Sequence, residues 1–136
     1  MIKLIIGKKG SGKTKTLIDL VNTALSTSNG SVVCIEKGDK LKYDVKYQAR
    51  LVDTEEYHVD DAQSLFGFIA GILASNHDVT DIFVDSALKI CGNDSASFDK
   101  FLDEIEALIA THVINCVMTS SIDPDEASET VKKFVG

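Results

Sequence analysis

Short apolar runs alternate with segments of helical periodicity along the whole chain, and this alternation limits the folds available to it. Runs rich in valine and isoleucine, of a length typical of buried strands, occupy positions 2–6, 31–35, 81–85 and 112–119. Apolar residues recur at helical spacing in segments 17–25, 65–73 and 98–109, and Asp123-Pro124 begins one more helix. Strands that alternate with helices form a mostly parallel sheet covered by helices on both faces. The sequence therefore predicts an α/β fold with three layers and about four to five strands.

Residues 41–51 alternate strictly between apolar and polar side chains. The residues predicted to share one face are Leu41, Tyr43, Val45, Tyr47, Ala49 and Leu51. The residues predicted to share the other face are Lys42, Asp44, Lys46, Gln48 and Arg50. A period of two over this length is typical of a strand with one solvated face. We expect an edge strand or a hairpin near 41–53.

Nothing in the chain of 136 residues divides it into parts, since it has one proline, Pro124, and no repeat or linker-like segment. The range 1–136 is therefore predicted to be a single domain. No apolar run approaches the ~20 residues that a membrane helix needs, and the first residues lack the pattern of a signal peptide. Three cysteines without C-x-x-C spacing indicate neither a disulfide framework nor a zinc site. We expect a cytoplasmic protein without a membrane span.

The net charge excludes several classes of partner. The chain carries 21 acidic and 14 basic side chains, giving a net charge of −7, and Arg50 is its only arginine. A protein that binds the phosphate backbone of DNA or RNA needs a basic surface, usually rich in arginine. An acidic chain is also poorly suited to an anionic membrane surface. We therefore expect no nucleic-acid partner.

One motif indicates a specific chemistry. Residues 7–14 read Gly-Lys-Lys-Gly-Ser-Gly-Lys-Thr and match the pattern G-x-x-x-x-G-K-[ST], between an apolar run and an amphipathic segment. Glycines let successive backbone N–H groups point at phosphate oxygens, and the dipole of the following helix attracts the same anion. The residues predicted to bind a nucleotide here are Gly7, Lys8, Lys9, Gly10, Ser11, Gly12, Lys13, Thr14 and Lys15.

This motif in its strand–loop–helix context resembles the Walker A motif of the P-loop NTPase superfamily, and the chain is similar in outline to a minimal RecA-like or secretion-ATPase core. The resemblance implies ATP and Mg²⁺ as cofactors, with Lys13 in catalysis and with Thr14 and a second acid at the metal. Asp85 follows the apolar run 82–84 and matches that acid. The guanine-recognition pattern N-K-x-D is absent, which favours ATP over GTP.

Family members also carry a glutamate that activates the attacking water. The residue directly after Asp85 is Ser86, which departs from the commonest arrangement. Glu36 ends the second apolar run, so the resemblance implies Glu36 as the catalytic base. The family further places a polar residue near the terminal phosphate at the end of a neighbouring strand. We expect Ser120 to contact the nucleotide there, with Thr119 as the alternative.

Three functions follow from this resemblance. The first is a slow Mg²⁺-dependent ATPase of RecA-like type, since a missing arginine finger lowers turnover by ~10³–10⁵. A protein partner or a second copy of the chain would then supply the missing charge. The second is a nucleotide-binding switch or regulatory module that does not hydrolyse ATP and acts on a protein partner. The third, which the shortage of arginines disfavours, is a small-molecule kinase with its acceptor site in segment 43–50.

Overall fold

A computed structural model describes residues 1–136. Five parallel strands form one sheet in it. The strands are β1 (Ile2–Gly7), β2 (Ser31–Glu36), β3 (Arg50–Asp53), β4 (Val79–Val84) and β5 (Asn115–Ser121). Their order across the sheet is β1-β5-β4-β2-β3, and every neighbouring pair is parallel. The predicted α/β fold with a parallel sheet is confirmed.

Helices cover both faces of this sheet. They are α1 (Lys13–Thr27), α2 (Ala62–Ser75), α3 (Ala87–Ile90), α4 (Ser95–Ile109) and α5 (Glu129–Phe134). On one face, Leu17 and Val21 of α1 pack in a cluster with Cys34 of β2 and Phe83 of β4. The larger cluster on the other face joins apolar side chains of the sheet to those of α2, α3, α4 and α5. Successive residues of a strand point to opposite faces, so β2 and β4 contribute buried side chains to both clusters.

No helix of the structure combines the length and the apolar character that crossing a bilayer would require. The longest helices, α1 and α4, have 15 residues each, whereas a spanning helix needs about 20. Both are amphipathic and lie against the sheet, with buried residues such as Leu17 in α1 and Phe101 in α4. The predicted absence of a membrane span agrees with this finding.

The predicted strand over 41–49 is wrong, and the edge strand is limited to β3. Residues 41–48 form consecutive turns in which the Val45 N–H donates to the Leu41 carbonyl at 2.9 Å. Leu41 and Val45 are buried, whereas Tyr43 and Tyr47 are 87% and 91% exposed. The buried side chains therefore recur every four residues, as on one side of successive helical turns, and join the cluster around α1. Apolar residues at every second position also occur at every fourth position, so the sequence pattern fits both a strand and these turns.

A pair of alanine substitutions distinguishes these two conformations. Because Val45 is buried, Val45→Ala should lower the free energy of unfolding by roughly 1.5–3 kcal/mol, from lost apolar burial and the cavity that remains. Tyr43→Ala removes an exposed ring and should change it by less than about 0.5 kcal/mol. Urea denaturation of both variants measures the difference. Equal losses would contradict the turn structure, because a strand would place both side chains on one face.

Candidate functional site

The carboxyl ends of four parallel strands meet at one edge of the sheet, which is where α/β proteins bind ligands. β1 runs into the loop formed by residues 7–14, and Glu36 ends β2. Asp85 directly follows β4, while Thr119 lies near the end of β5. Asp85 is tied to the neighbouring strand by its N–H, which donates to the Ile35 carbonyl at 2.9 Å. The fold thus brings together residues that are far apart in the sequence.

A cavity of about 760 Å³ opens at this edge between the 7–14 loop, the ends of β4 and β5, and the turn after β2. Its lining is almost entirely polar, with Leu41 and Leu88 as the apolar members. Asp85 is the only carboxylate in the lining, whereas five lysines face the cavity: Lys9, Lys13, Lys15, Lys40 and Lys89. None of these five lysines forms a salt bridge. The cavity is therefore strongly positive within a chain whose net charge is −7.

The backbone of the 7–14 loop follows a path that favours glycine at two positions. Gly10 and Gly12 have φ angles of +85° and +88°, in the left-handed region that side chains rarely adopt. The turn over residues 8–11, which includes Gly10, is closed by the Ser11 N–H, which donates to the Lys8 carbonyl at 3.1 Å. The Lys13 ammonium lies across this loop and donates to the same carbonyl at 3.0 Å. The spacing of the motif thus corresponds to a compact loop with its lysine directed at the loop backbone.

Helix α1 begins at this loop without a side-chain cap. Gly12 is the N-cap residue, no side chain accepts from the first turn, and the first turn contains no acid. The first helical hydrogen bond runs from the Thr16 N–H to the Gly12 carbonyl, which leaves the N–H groups of Lys13, Thr14 and Lys15 without an acceptor. Unpaired N–H groups and the helix dipole together attract an anion. Lys13, Thr14 and Lys15 also line the cavity.

Thr14 and Asp85, which the sequence predicts at a metal site, are in contact. The Thr14 hydroxyl donates to the two carboxylate oxygens of Asp85 at 3.1 and 3.3 Å. The buried Thr119 hydroxyl donates to Asp85 Oδ1 at 2.8 Å and accepts from the Ser86 N–H at 2.8 Å. Asp85 is therefore held in one orientation from two sides.

The Thr14 hydroxyl oxygen and the Asp85 carboxylate are ligands of the kind that Mg²⁺ takes. The cation prefers oxygen ligands, and proteins commonly hold it through one or two carboxylates together with waters and substrate phosphates. No group of three or more His, Cys, Asp or Glu side chains that could hold a metal ion is found in the structure. Thr14 and Asp85 would thus hold Mg²⁺ jointly with the phosphates of a ligand.

Glu36, the predicted catalytic base, does not line the cavity. It is 2% exposed, and its two carboxylate oxygens accept the backbone N–H groups of Lys40 at 3.0 Å and Leu41 at 3.2 Å. Burial raises the pKa of Glu36, as do the negative charges of Asp85 and Asp53, while the two backbone N–H groups lower it. Both oxygens of this carboxylate are engaged with the protein itself.

The raised pKa of Glu36 predicts a specific dependence of stability on pH. Between its ordinary pKa of 4.5 and the raised value, the folded chain holds a proton that the unfolded chain has released. The contribution of protonated Glu36 to the stability of the fold is then fully present below pH 4.5 and is lost as the pH rises through the raised pKa. The free energy of unfolding of the wild type, measured relative to Glu36→Gln by urea denaturation, should decrease over this interval. A difference independent of pH would contradict the prediction.

Lys8 and Ser120, two further predicted contacts of the nucleotide, point elsewhere. The Lys8 ammonium lies 3.6 Å from a carboxylate oxygen of Asp123. Ser120 is buried, and its hydroxyl accepts from the Leu88 N–H at 3.2 Å. Thr119 and Ser121 line the cavity but Ser120 does not, because neighbouring residues of a strand face opposite sides of the sheet.

Arg50 does not line this cavity either. It begins β3, where it pairs with Val33 in the middle of β2 rather than with the carboxyl end of that strand. Its side chain belongs to a separate cavity of about 570 Å³, which Tyr57 and Phe68 also line. The only arginine of the chain is therefore outside the lysine-rich cavity.

Sequence reasoning missed several residues that line the cavity, chiefly Lys40, Lys89 and Asn93. Lys40 lies in the turn after β2, and the other two lie in and after the short helix α3. No spacing rule separates such lysines from ordinary solvated ones. A weak signal in the sequence is the pair Gly92-Asn93, because glycine and asparagine favour turns, and both residues have positive φ in the structure.

Comparison with known proteins assigns the chain to no family. No protein-family model matches it, and no curated protein matches it. A function is therefore inferred from the chemistry of the cavity itself.

Proposed function

We propose that the chain is an ATP-binding P-loop protein and a slow Mg²⁺-dependent ATPase of RecA-like type. The observation that carries this proposal is the junction of the 7–14 loop with α1. There, Lys13, Thr14 and Lys15, whose N–H groups have no acceptor, line one cavity beside the contact between Thr14 and Asp85. Backbone N–H groups, a helix N-terminus and a lysine together bind phosphate.

The charge of the cavity supports a ligand with several negative charges. Five lysines and one carboxylate line it, and in a recess such charges act together to concentrate anions. Lysines without ion-pair partners are free to engage phosphate oxygens. A nucleoside triphosphate has both the charge and the extended shape for such a lining.

Mg²⁺, held by Thr14, Asp85 and the phosphates, would neutralise charge on the transferred phosphoryl group. The chain's own residues do the rest. Lys13 and the N–H groups of α1 orient the phosphate chain, and Thr119 keeps the Asp85 carboxylate directed at Thr14. ATP rather than GTP is proposed because the N-K-x-D pattern is missing. A cytoplasmic location is proposed as well, since the cytoplasm supplies ATP and the reducing conditions that suit three buried free cysteines.

Slow turnover follows from what the cavity lacks. Asp85 is its only carboxylate, and the carboxylate of Glu36 is occupied by the backbone of Lys40 and Leu41. Arg50 lies in the other cavity, so no arginine of the chain stabilises the charge that develops on the phosphate. The lack of an arginine lowers turnover by about 10³–10⁵. A protein partner or a second copy would raise the rate by supplying one.

The same observations support a second candidate, a nucleotide-binding switch that does not hydrolyse ATP. It would bind ATP with the same loop and signal to a protein partner. A small-molecule kinase has less support, because Tyr43, Tyr47 and Arg50 do not line the cavity where phosphate would be transferred.

Phosphate release from ATP, measured with and without Mg²⁺ over a range of protein concentrations, tests the proposal. Release that depends on Mg²⁺ supports the ATPase, and a rise steeper than linear with concentration indicates completion by a second copy. Nucleotide binding is measured in parallel by calorimetry. Binding without release at any concentration would favour the switch, and absence of binding would overturn both.

A further inference from the structure

The turn after β2 is fixed in place by two buried or half-buried carboxylates. Glu36 accepts the backbone N–H groups of Lys40 and Leu41, and Asp53 accepts the Gly38 N–H at 2.8 Å. Leu41 is itself buried in the cluster around α1. Backbone groups held at both ends of a short turn leave it little freedom. The backbone position of Lys40 is therefore built into the fold.

Lys40 lines the cavity from a different strand end than the 7–14 loop does. The loop follows β1, whereas Lys40 follows β2, and β5 and β4 lie between these two strands. The Lys40 side chain is exposed, lines the cavity and forms no salt bridge. An ammonium group that has no ion-pair partner and is carried on a backbone fixed at this strand end is suited to bind a phosphate group in the cavity.

We propose that Lys40 forms a second subsite for a phosphate group and that Glu36 is the positioning residue that holds it there. The inference rests on the proposed function and assigns to Glu36 a role other than that of a catalytic base. The phosphate group is either the terminal phosphate of the nucleotide or a phosphate of a separate ligand. In both cases the Lys40 ammonium donates to phosphate oxygens.

Affinities of Lys40→Ala for ATP, for ADP, and for inorganic phosphate in the presence of ADP test the subsite. Loss of a hydrogen bond to a charged group should weaken binding about 10- to 100-fold. A loss for ATP but not ADP assigns the subsite to the terminal phosphate. An unchanged ratio of ATP to ADP affinity, with loss of inorganic phosphate binding, assigns it to a separate ligand. Unchanged affinities for all three would overturn the inference.

Lys100→Ala is the matched control. Lys100 is exposed on α4, which packs against the sheet face away from α1, and it forms no salt bridge. This variant should leave all three affinities unchanged, so that a loss in Lys40→Ala is not an effect of net charge. The wild type separates the two proposals: a wild type that binds no nucleotide refutes the proposed function, whereas a wild type that binds while Lys40→Ala is unaffected refutes this inference alone.

The role of Glu36 is tested by Glu36→Gln in two backgrounds. An amide has one oxygen acceptor where the carboxylate has two, so one of the two N–H groups of the turn loses its partner. If Glu36 acts through Lys40, Glu36→Gln alone should weaken binding of the same ligands several-fold. In the Lys40→Ala background it should cause no further loss of affinity. Equal effects in both backgrounds would overturn the positioning role. If Glu36→Gln does not fold, Asp53→Asn, which weakens the tether at Gly38, replaces it.

Discussion

Lys13→Ala should abolish measurable phosphate release and weaken ATP binding. Removal of a single donor that stabilises charge in a reaction lowers turnover by about 10²–10³. In the proposed function Lys13 is such a donor, since its ammonium lies 3.0 Å from the Lys8 carbonyl, beside the unpaired N–H groups at the start of α1. Phosphate release and calorimetric ATP binding, compared between wild type and variant, measure the loss.

The fold should survive this change. The Lys13 ammonium makes two hydrogen bonds at the protein surface and no salt bridge, so urea denaturation should give nearly the same midpoint as the wild type. Lys100→Ala, which removes an exposed lysine of α4, is the control for net charge. Full phosphate release by a folded Lys13→Ala protein would remove the 7–14 loop from the proposed mechanism.

Asp85→Asn should remove the dependence of ATP binding and phosphate release on Mg²⁺. Asparagine retains the shape of the side chain and an oxygen for the Thr14 and Thr119 hydroxyls, but it carries no charge. A bound metal contributes several kcal/mol of charge stabilisation, so turnover should fall by roughly 10² or more. Titration of Mg²⁺ at fixed ATP, with phosphate release as the signal, measures the effect.

Asp19→Asn is the matched control for Asp85→Asn. Asp19 is exposed on α1 and does not line the cavity, so this variant should respond to Mg²⁺ as the wild type does. Asp85→Asn should still bind ATP in the absence of Mg²⁺, because the substitution removes a negative charge that would repel the phosphates. An Mg²⁺ response that persists in a folded Asp85→Asn protein would exclude Asp85 as a metal ligand.

The fold class was predictable because its signals are local. Apolar runs and helical periodicity appear directly in the sequence, and all four predicted buried runs overlap the observed strands β1, β2, β4 and β5. The segment 41–49 was not predictable in this way, because Leu41 and Val45 fit both an alternation of two and a spacing of four. Tertiary contacts select the turns, through packing against Leu17 and Val21 of α1 and through hydrogen bonds of the Asn22 side chain to the backbone of the segment.

The candidate site shows the same limit at the level of single residues. Thr119 and Ser120 are equally polar neighbours at the end of β5, and a shift of one residue decides which of them faces the cavity. Glu36 lies at the strand end that the resemblance implies, yet the turn after it folds back and occupies both of its oxygens. Such outcomes depend on neighbouring chain segments and not on the residue type.

Local information was sufficient for the alternation of strands and helices and for the 7–14 loop, because the conformation of that loop depends on its own glycines and on the helix that follows. The contact of Thr14 with Asp85, 71 residues apart, requires the order of the strands. The same holds for the convergence of Lys40 and Lys89 on one cavity. Contacts between distant residues depend on how all five strands assemble, and the spacing of residues along a single chain does not specify that assembly.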